Sequence, residues 1–431
     1  MNFPRFVHAE QSFPNRAIPN IEDRIRQELS SSDIVKRVPK GARIAIGVGS
    51  RGIANIARIT KATVNFWKEQ GAHPFIIPAM GSHGAATAEG QSDVLAHYGI
   101  HEATMGVPVV SSLDVVPLGT TPEGIDTFMD KAAFDSDGVF LLARVKWHTD
   151  FAGAIESGLF KMMAIGLGKF AGAQRYHSYA YRMGLEKMIR SVGAQVFASN
   201  KILGGLAIKE GAFHETAGLT AVSTSQGLAS MVAQEEAILK EVKSWMAKLP
   251  APEIDILIVD ELGKNISGAG MDTKVINRGV QGQYNPWPDT PFVHRIYTRA
   301  ISALSYRSAV GLGMADVIHD RLLENVDWKP TYINSLTAST PACIRTPIHY
   351  PSDREALEAI APTVGKTNPA EITYCRIRNT MELIHLDVSE NLLSTVASNV
   401  KAISEPFELE FDKSGNLPEL TLATHEAQLT H

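Results

Sequence analysis

The sequence predicts an α/β protein of two domains: an N-terminal domain with a largely parallel sheet and flanking helices, and a second α/β domain, with the active site in the cleft between them. Three observations carry this prediction. The 431 residues exceed one ordinary domain and suffice for two cores. Short apolar runs end in glycine-rich or polar loops and alternate with helix-like patterns, as a parallel α/β sheet requires. A long helical pattern stops at Leu249-Pro250-Ala251-Pro252, and a new apolar run, IDILIVDEL, follows at 254–262. The boundary therefore falls after residue 250, giving domains 1–250 and 251–431.

In chain order, the clearest strands are ARIAIGV (42–48), PFIIPAM (74–80) and GVFLLARV (138–145), with helices expected over 53–70 and 89–98. Ser225 is the expected cap of a helix in which Leu228, Met231, Val232, Ile238, Leu239, Val242, Trp245 and Met246 recur at three- and four-residue intervals. Strand and helix signals then alternate to about Phe411, and the polar end from Asp412 reads as a loose tail. With 41 basic against 46 acidic residues and no long basic run, a nucleic-acid partner is excluded. Residues 1–18 are polar and proline-punctuated, and no apolar run approaches a membrane span, so neither a signal peptide nor a membrane is expected and the location is cytoplasmic. Cys343 and Cys375 lack metal-ligand spacing, which leaves no disulfide framework or thiolate cluster.

Ligands of an open parallel sheet bind beyond the carboxyl ends of its strands. Three strands here lead into Gly49-Ser50-Arg51-Gly52, Gly81-Ser82-His83-Gly84 and Lys146-Trp147-His148-Thr149, so an arginine, two histidines and a lysine are expected along one edge. GVGSRG at 47–52 matches G-x-G-x-x-G, which reads equally as a phosphate loop or as a glycine turn packing a helix on a strand. Arg51 favours an anion, because a guanidinium at a helix start grips phosphate or carboxylate. Glycines beside His83 would let a substrate approach an imidazole suited to proton transfer near neutrality, and His148 is similarly placed. Two histidines flanking one bound carbon suit removal and return of a proton on opposite faces. Lys161, inside GLFKMMAIGL, is a desolvated amine and so a candidate nucleophile or attachment point. For His177 the residues alone leave both a surface cap and a metal ligand open. Lys264, in the glycine-rich ELGKNISGAGMD (261–272), reads either as a charge for a substrate carboxylate or cofactor phosphate or as a solvated turn residue. His214, Cys343 and Arg345 receive no role.

These residues resemble the lactate racemase family, the nickel-dependent 2-hydroxyacid racemases and epimerases. Ser50-Arg51 looks like the family's Thr-Arg loop, Gly81-Ser82-His83 like its Gly-x-His segment, and His148, Ala152-Gly153 and Lys161 like its His, Ala-Gly and Lys. The interval from Lys161 to His177 matches that to the final family histidine. The resemblance implies a nickel-pincer nucleotide (nickel pyridinium-3,5-bisthiocarboxylic acid mononucleotide) attached covalently through Lys161, with His177 on nickel, His83 and His148 as proton-transfer residues, and Ser50, Arg51 and Lys264 around phosphate or carboxylate. It implies a small 2-hydroxyacid substrate and, as partners, the proteins that make the cofactor. Asp150 and Glu156 depart from the family pattern and add acidity near the expected pocket, which disfavours a second carboxylate and admits a hydroxyl-bearing sugar acid beside lactate. Two alternatives stand: an NAD-dependent oxidoreductase using GVGSRG, although the strand ending at Ala79-Met80-Gly81 offers no acid for the ribose, and a non-catalytic nucleotide- or metabolite-binding protein.

Overall fold

The computed structural model describes residues 2–49 and 52–420, the His177 side chain excepted. The chain divides into two compact units, one spanning Pro14–Met246 and the other built from the segment ending at Phe13 together with the chain from Ala247 onward. The first strand, β1 (Phe6–Gln11), thus belongs with the C-terminal sheet and not with the N-terminal domain to which the sequence assigned it. No local signal announces this: the ring of His8 meets Asp387, a partner 379 residues away.

In the first unit, β2 (Arg43–Val48), β3 (His73–Pro78), the hairpin β4 (Val115–Thr120) and β5 (Asp126–Asp130), β6 (Gly138–Val145), β7 (Ile202–Glu210) and β8 (Thr216–Ser223) follow one another. The sheet order is β3-β2-β6-β7-β8, parallel except for the antiparallel edge strand β8. The apolar runs are continuous because both faces are covered. Ile44, Ile46, Val48, Phe140 and Leu142 pack with Ile25, Ile59 and Trp67 of helices Ile21–Ser31 and Ile56–Glu69. The alternate residues Ala45, Val139, Leu141 and Ala143 pack with Leu159, Met188 and Met231 on the opposite face. Each buried Leu or Ile contributes about 1.5–3 kcal/mol. The long helix spans Leu228–Trp245 and is preceded by Gly227 at φ +85, so Ser225 is not its cap; Ser225 bonds to Ser223 in the turn before it.

In the second unit, β9 (Glu253–Leu262), β10 (Phe292–Ile301), β11 (Val317–His319), β12 (Ile348–Tyr350), β13 (Tyr374–Asn379), β14 (Glu382–Ser389) and β15 (Val400–Ala402) join β1 in the order β12-β11-β10-β9-β13-β14-β1-β15. Strands β9 to β13 are mutually parallel, and β14, β1 and β15 continue the sheet in antiparallel pairs. A buried ion network crosses this sheet: Arg299 pairs with Asp260 at 3.0 Å and with Asp353 at 2.8 Å, and Arg376 pairs with Asp260 at 2.8 Å. The segment expected as a loose tail closes over it. Arg299 donates to the Leu417 carbonyl, Arg376 donates to that of Pro418, and Leu417 N–H donates to Asp353, so residues 412–420 are packed by main-chain bonds that polarity patterning does not register.

Candidate functional site

Val48 of β2 pairs in register with Pro78 of β3 and with Leu142 of β6, all parallel, so the three loops that follow leave the sheet at one edge. The chain passes from β2 to β3 on one side and returns to β6 on the other, which sets the switch in strand order between β2 and β6. Ligand crevices of open sheets lie at such a switch. Ser50 and Arg51 fall outside the described residues, but the loop around them is anchored. Arg144 donates to the Gly52 carbonyl at 2.8 Å and to Glu210, whose other oxygen accepts from Ala54 N–H.

Of GVGSRG, Gly47 lies inside β2, no described residue would meet a Cβ at Gly52 within 4 Å, and the next helix starts at Ile56. In a dinucleotide fingerprint the third glycine serves close helix–strand packing, and among the described residues Gly52 has no such contact.

His83 is exposed and opens a left-handed turn in which Gly84, Ala85 and Ala86 have φ of +65°, +55° and +57°. Left-handed backbone costs an L-residue roughly 1–2 kcal/mol, so both alanines are held there by their surroundings. A Cβ on Gly84 would stand 2.5 Å from the Gln91 nitrogen. The glycines beside His83 thus serve the turn and its packing. Gln91, fully buried on helix Ala88–His97, donates to the carbonyls of Gly81 at 2.8 Å and His83 at 3.3 Å.

His148 follows β6 and is half-buried against Phe151, with ring centroids 4.7 Å apart. Its Nδ1 accepts from Asp150 N–H at 3.0 Å, so the neutral ring carries its proton on Nε2. Its own N–H donates to Glu156 at 2.6 Å. Glu156 is fully buried, accepts also from Gly153 N–H, and pairs with Lys243 at 2.5 Å. Its charge is neutralised inside the unit, which corrects the expectation that Glu156 adds acidity to the pocket; Asp150 remains exposed.

Lys161 ends the short helix Gly158–Lys161 and is half-buried. The buried carboxylate of Glu235 accepts from Leu159 N–H and, at 3.0 Å, from Phe160 N–H at the start of that helix. Burial pushes the Glu235 carboxyl up to about 7, against the lowering effect of those two N–H groups and of Arg190. After Lys161 the chain widens into a π-helical turn, Met162–Gly166, an insertion often found at functional sites. This turn lies behind both glycine loops: a Cβ on Gly49 would meet Met162 Sδ at 3.5 Å, and one on Gly81 would meet Ile165 at 3.0 Å.

The fully buried ammonium of this segment is that of Lys169, not Lys161. Lys169 has φ +52, donates to the Pro78 carbonyl at 2.6 Å and to Gln91 Oε1 at 3.4 Å, and lies 2.9 Å from Asp130. His177 sits on the helix Lys169–Met183 that follows. Lys264 belongs to the second unit, exposed in a turn after β9 that closes through Gly263 N–H to the Gly270 carbonyl. Cys343 is buried and bonded to Thr340, a packing role. Sequence reasoning missed Gln91, Lys169 and Glu235. For Glu235 a signal existed, since it falls at the helical interval between Met231 and Leu239 in an otherwise apolar stripe.

Among the described residues, no helix is long and apolar enough to cross a membrane, and no group of three or more His, Cys, Asp or Glu is placed to hold a metal ion. No family model and no curated protein matches the chain. Among solved structures, the lactate racemase apoprotein from Thermoanaerobacterium thermosaccharolyticum is similar at 14% identity over 82% of this chain and 91% of that one, with a TM-score of 0.47. That similarity is too loose to transfer a residue or a reaction.

Proposed function

We propose that the chain is a racemase or epimerase acting at C2 of a 2-hydroxyacid with a covalently held nickel-pincer nucleotide. The observation that supports this best is the packing of the Lys161 turn behind the Gly49 and Gly81 loops, at the sheet edge from which the His83 and His148 loops also leave. Lys161 ends the short helix that follows β6, and Glu235 holds the Leu159 and Phe160 N–H groups of that helix. The donor chemistry fits: a metal that brings two sulfurs and a ring carbon with it asks the protein for one imidazole, and soft sulfur with imidazole suits nickel. When bound, the group supplies an acceptor for the Cα hydride.

The chain's own residues handle the proton of the substrate hydroxyl. His83 and His148 stand on separate loops of one edge, so each serves one enantiomer. Asp150 N–H donates to His148 Nδ1, which fixes the neutral tautomer with its proton on Nε2. Lys161 is the attachment point and His177 the metal ligand. Ser50, Arg51 and Lys264 would hold phosphate or carboxylate. With Glu156 neutralised by Lys243, lactate and sugar acids stand level as substrates. The proteins that build the cofactor are the expected partners, and a cytoplasmic location accords with that chemistry.

The test is nickel per chain and intact mass of protein co-produced with the cofactor-making proteins. Near-stoichiometric nickel is expected, lost in His177→Ala, together with a mass adduct lost in Lys161→Ala. His83→Ala should keep the adduct and lower racemisation by about 10²–10⁴-fold, the range of a missing acid–base group. Absence of both nickel and adduct, under conditions that load a known racemase, overturns the reading and favours a non-catalytic binding protein.

A further inference from the structure

We infer that Gln91 and Lys169 form a buried positioning pair for His83, in which Gln91 holds the backbone of the His83 turn and Lys169 fixes the orientation of the Gln91 amide. The inference rests on the reading of His83 as a proton-transfer residue.

The His83 turn does not hold itself. Three successive residues with positive φ, two of them alanines, persist only if the surroundings over-determine them, and such backbone clusters at sites where geometry serves function. Within the turn, His83 N–H donates to Met80, Ala86 N–H donates to His83 at 3.4 Å, and the Thr87 N–H and hydroxyl both donate to Gly84. Gln91 adds bonds from outside it. Both of its N–H groups point at the turn, one to the carbonyl before Ser82 and one to the carbonyl of His83 itself, so the two bonds bracket the residue that carries the imidazole.

An amide side chain can present either its oxygen or its nitrogen, and the wrong choice would set Oε1 against two carbonyl oxygens. Lys169 decides this. Its ammonium has donors only, and at 3.4 Å from Gln91 Oε1 it requires the oxygen on its own side and leaves both N–H groups for the turn. The ammonium is in turn fixed by the carbonyl at the end of β3 and by the buried carboxylate of Asp130. A fully buried lysine is tolerated only when paired in this way, so Lys169 is a fastener and not a second attachment amine. Its place in the chain gives the pair a further consequence. Lys169 lies midway in sequence between Lys161 and His177, so the segment that would carry the cofactor and the turn that carries His83 share one buried anchor.

Gln91→Glu is the informative variant. It keeps the side-chain shape and an acceptor for Lys169, yet loses both donors to the turn while ionised. Measured on fully loaded protein with lactate, or with the 2-hydroxyacid that the native protein turns over fastest, kcat should fall at least tenfold with KM, nickel and mass adduct unchanged. The ratio of variant to native kcat should rise as pH falls, because a protonated carboxyl donates again. A second readout needs no turnover: in protein labelled with ¹³C-histidine, the imidazole signal that disappears in His83→Ala should shift in Gln91→Glu while the other histidine signals stay. Gln91→Met, of similar length and without donors, should show the same shift and no pH recovery, and it serves if Gln91→Glu fails to fold. Native kcat and an unmoved His83 signal in these variants overturn the inference. So does a loss of kcat that merely follows a loss of nickel, adduct and melting temperature, which marks a structural role. If His83→Ala keeps native kcat, the reading of His83 fails, and the imidazole signal alone decides whether Gln91 positions it.

Discussion

Glu235 makes the stability of the first unit depend on pH in a direction opposite to that of most carboxylates. The side chain is 2% exposed, and burial raises its pKa from 4.5 to about 7 despite the Phe160 and Leu159 N–H groups and the Arg190 charge. Below pH 4.5 the carboxyl is protonated in both folded and unfolded chains, and its contribution is fully present. As pH rises from 4.5 to about 7 the unfolded chain ionises first, so stability is lost; above about 7 the loss is complete. The shift corresponds to about 3 kcal/mol, or roughly 6–12 °C in melting temperature for a unit of this size. Glu235→Gln copies the protonated side chain at every pH. Thermal or urea unfolding of both proteins between pH 4.5 and 8 cancels every other titrating group in the difference. The native protein should lose about 3 kcal/mol more than the variant across this window. Parallel curves would refute the reasoning. A native protein that gained on the variant as pH rose would show that the two N–H groups outweigh burial and that the group is an ordinary ionised carboxylate.

The second unit should respond to acid in the usual sense. Burial opposes ionisation of Asp353, but the hydrogen bonds and charge of Arg299, with Tyr297 and Leu417 N–H, hold its pKa down from 3.8 to about 2. Its contribution, about 2 kcal/mol, is present above pH 4 and lost as pH falls through 2, which acid unfolding followed by circular dichroism would register as a transition missing from Asp353→Asn. That variant should also be destabilised near pH 7 by about 3 kcal/mol, the low end for a broken buried pair, because Arg299 keeps Asp260 while it and Arg321 lose Asp353. Ending the chain after Phe411 should lower the melting temperature of the second unit, since it removes the carbonyls of Leu417 and Pro418 that Arg299 and Arg376 use; an unchanged melt would restore the loose-tail reading.

What the sequence revealed and what it hid follow from the range of the interactions concerned. ARIAIGV, PFIIPAM and GVFLLARV are legible as strands because both faces of a covered parallel sheet are apolar, a property written within each run. Their parallel direction then brings the His83 and His148 loops to one edge without any knowledge of side chains. The partner of β1 is not legible, because FVHAEQ carries no mark of a strand nearly four hundred residues later. The left-handed turn after His83 is hidden for a different reason: alanine has no preference for positive φ, so Ala85 and Ala86 adopt it under tertiary constraint alone. Lys161 and Lys169 show the limit of composition. Both stand in apolar runs, and the rule that a lysine there must have a partner is sound, but only the structure shows that the deeper ammonium is the one eight positions on, matched to Asp130, Pro78 and Gln91. Polar residues on apolar helix faces were the available clue to Glu235 and Gln91. Glu235 aligns with Met231 and Leu239, and Gln91 with Leu95, and in each case the side chain is buried against a segment that carries a candidate site residue. A polar side chain in such a stripe has to bond to something that the helix itself does not provide. In an α/β sheet, the backbone most in need of external bonds is that of the loops at the carboxyl edge, where a site would also form.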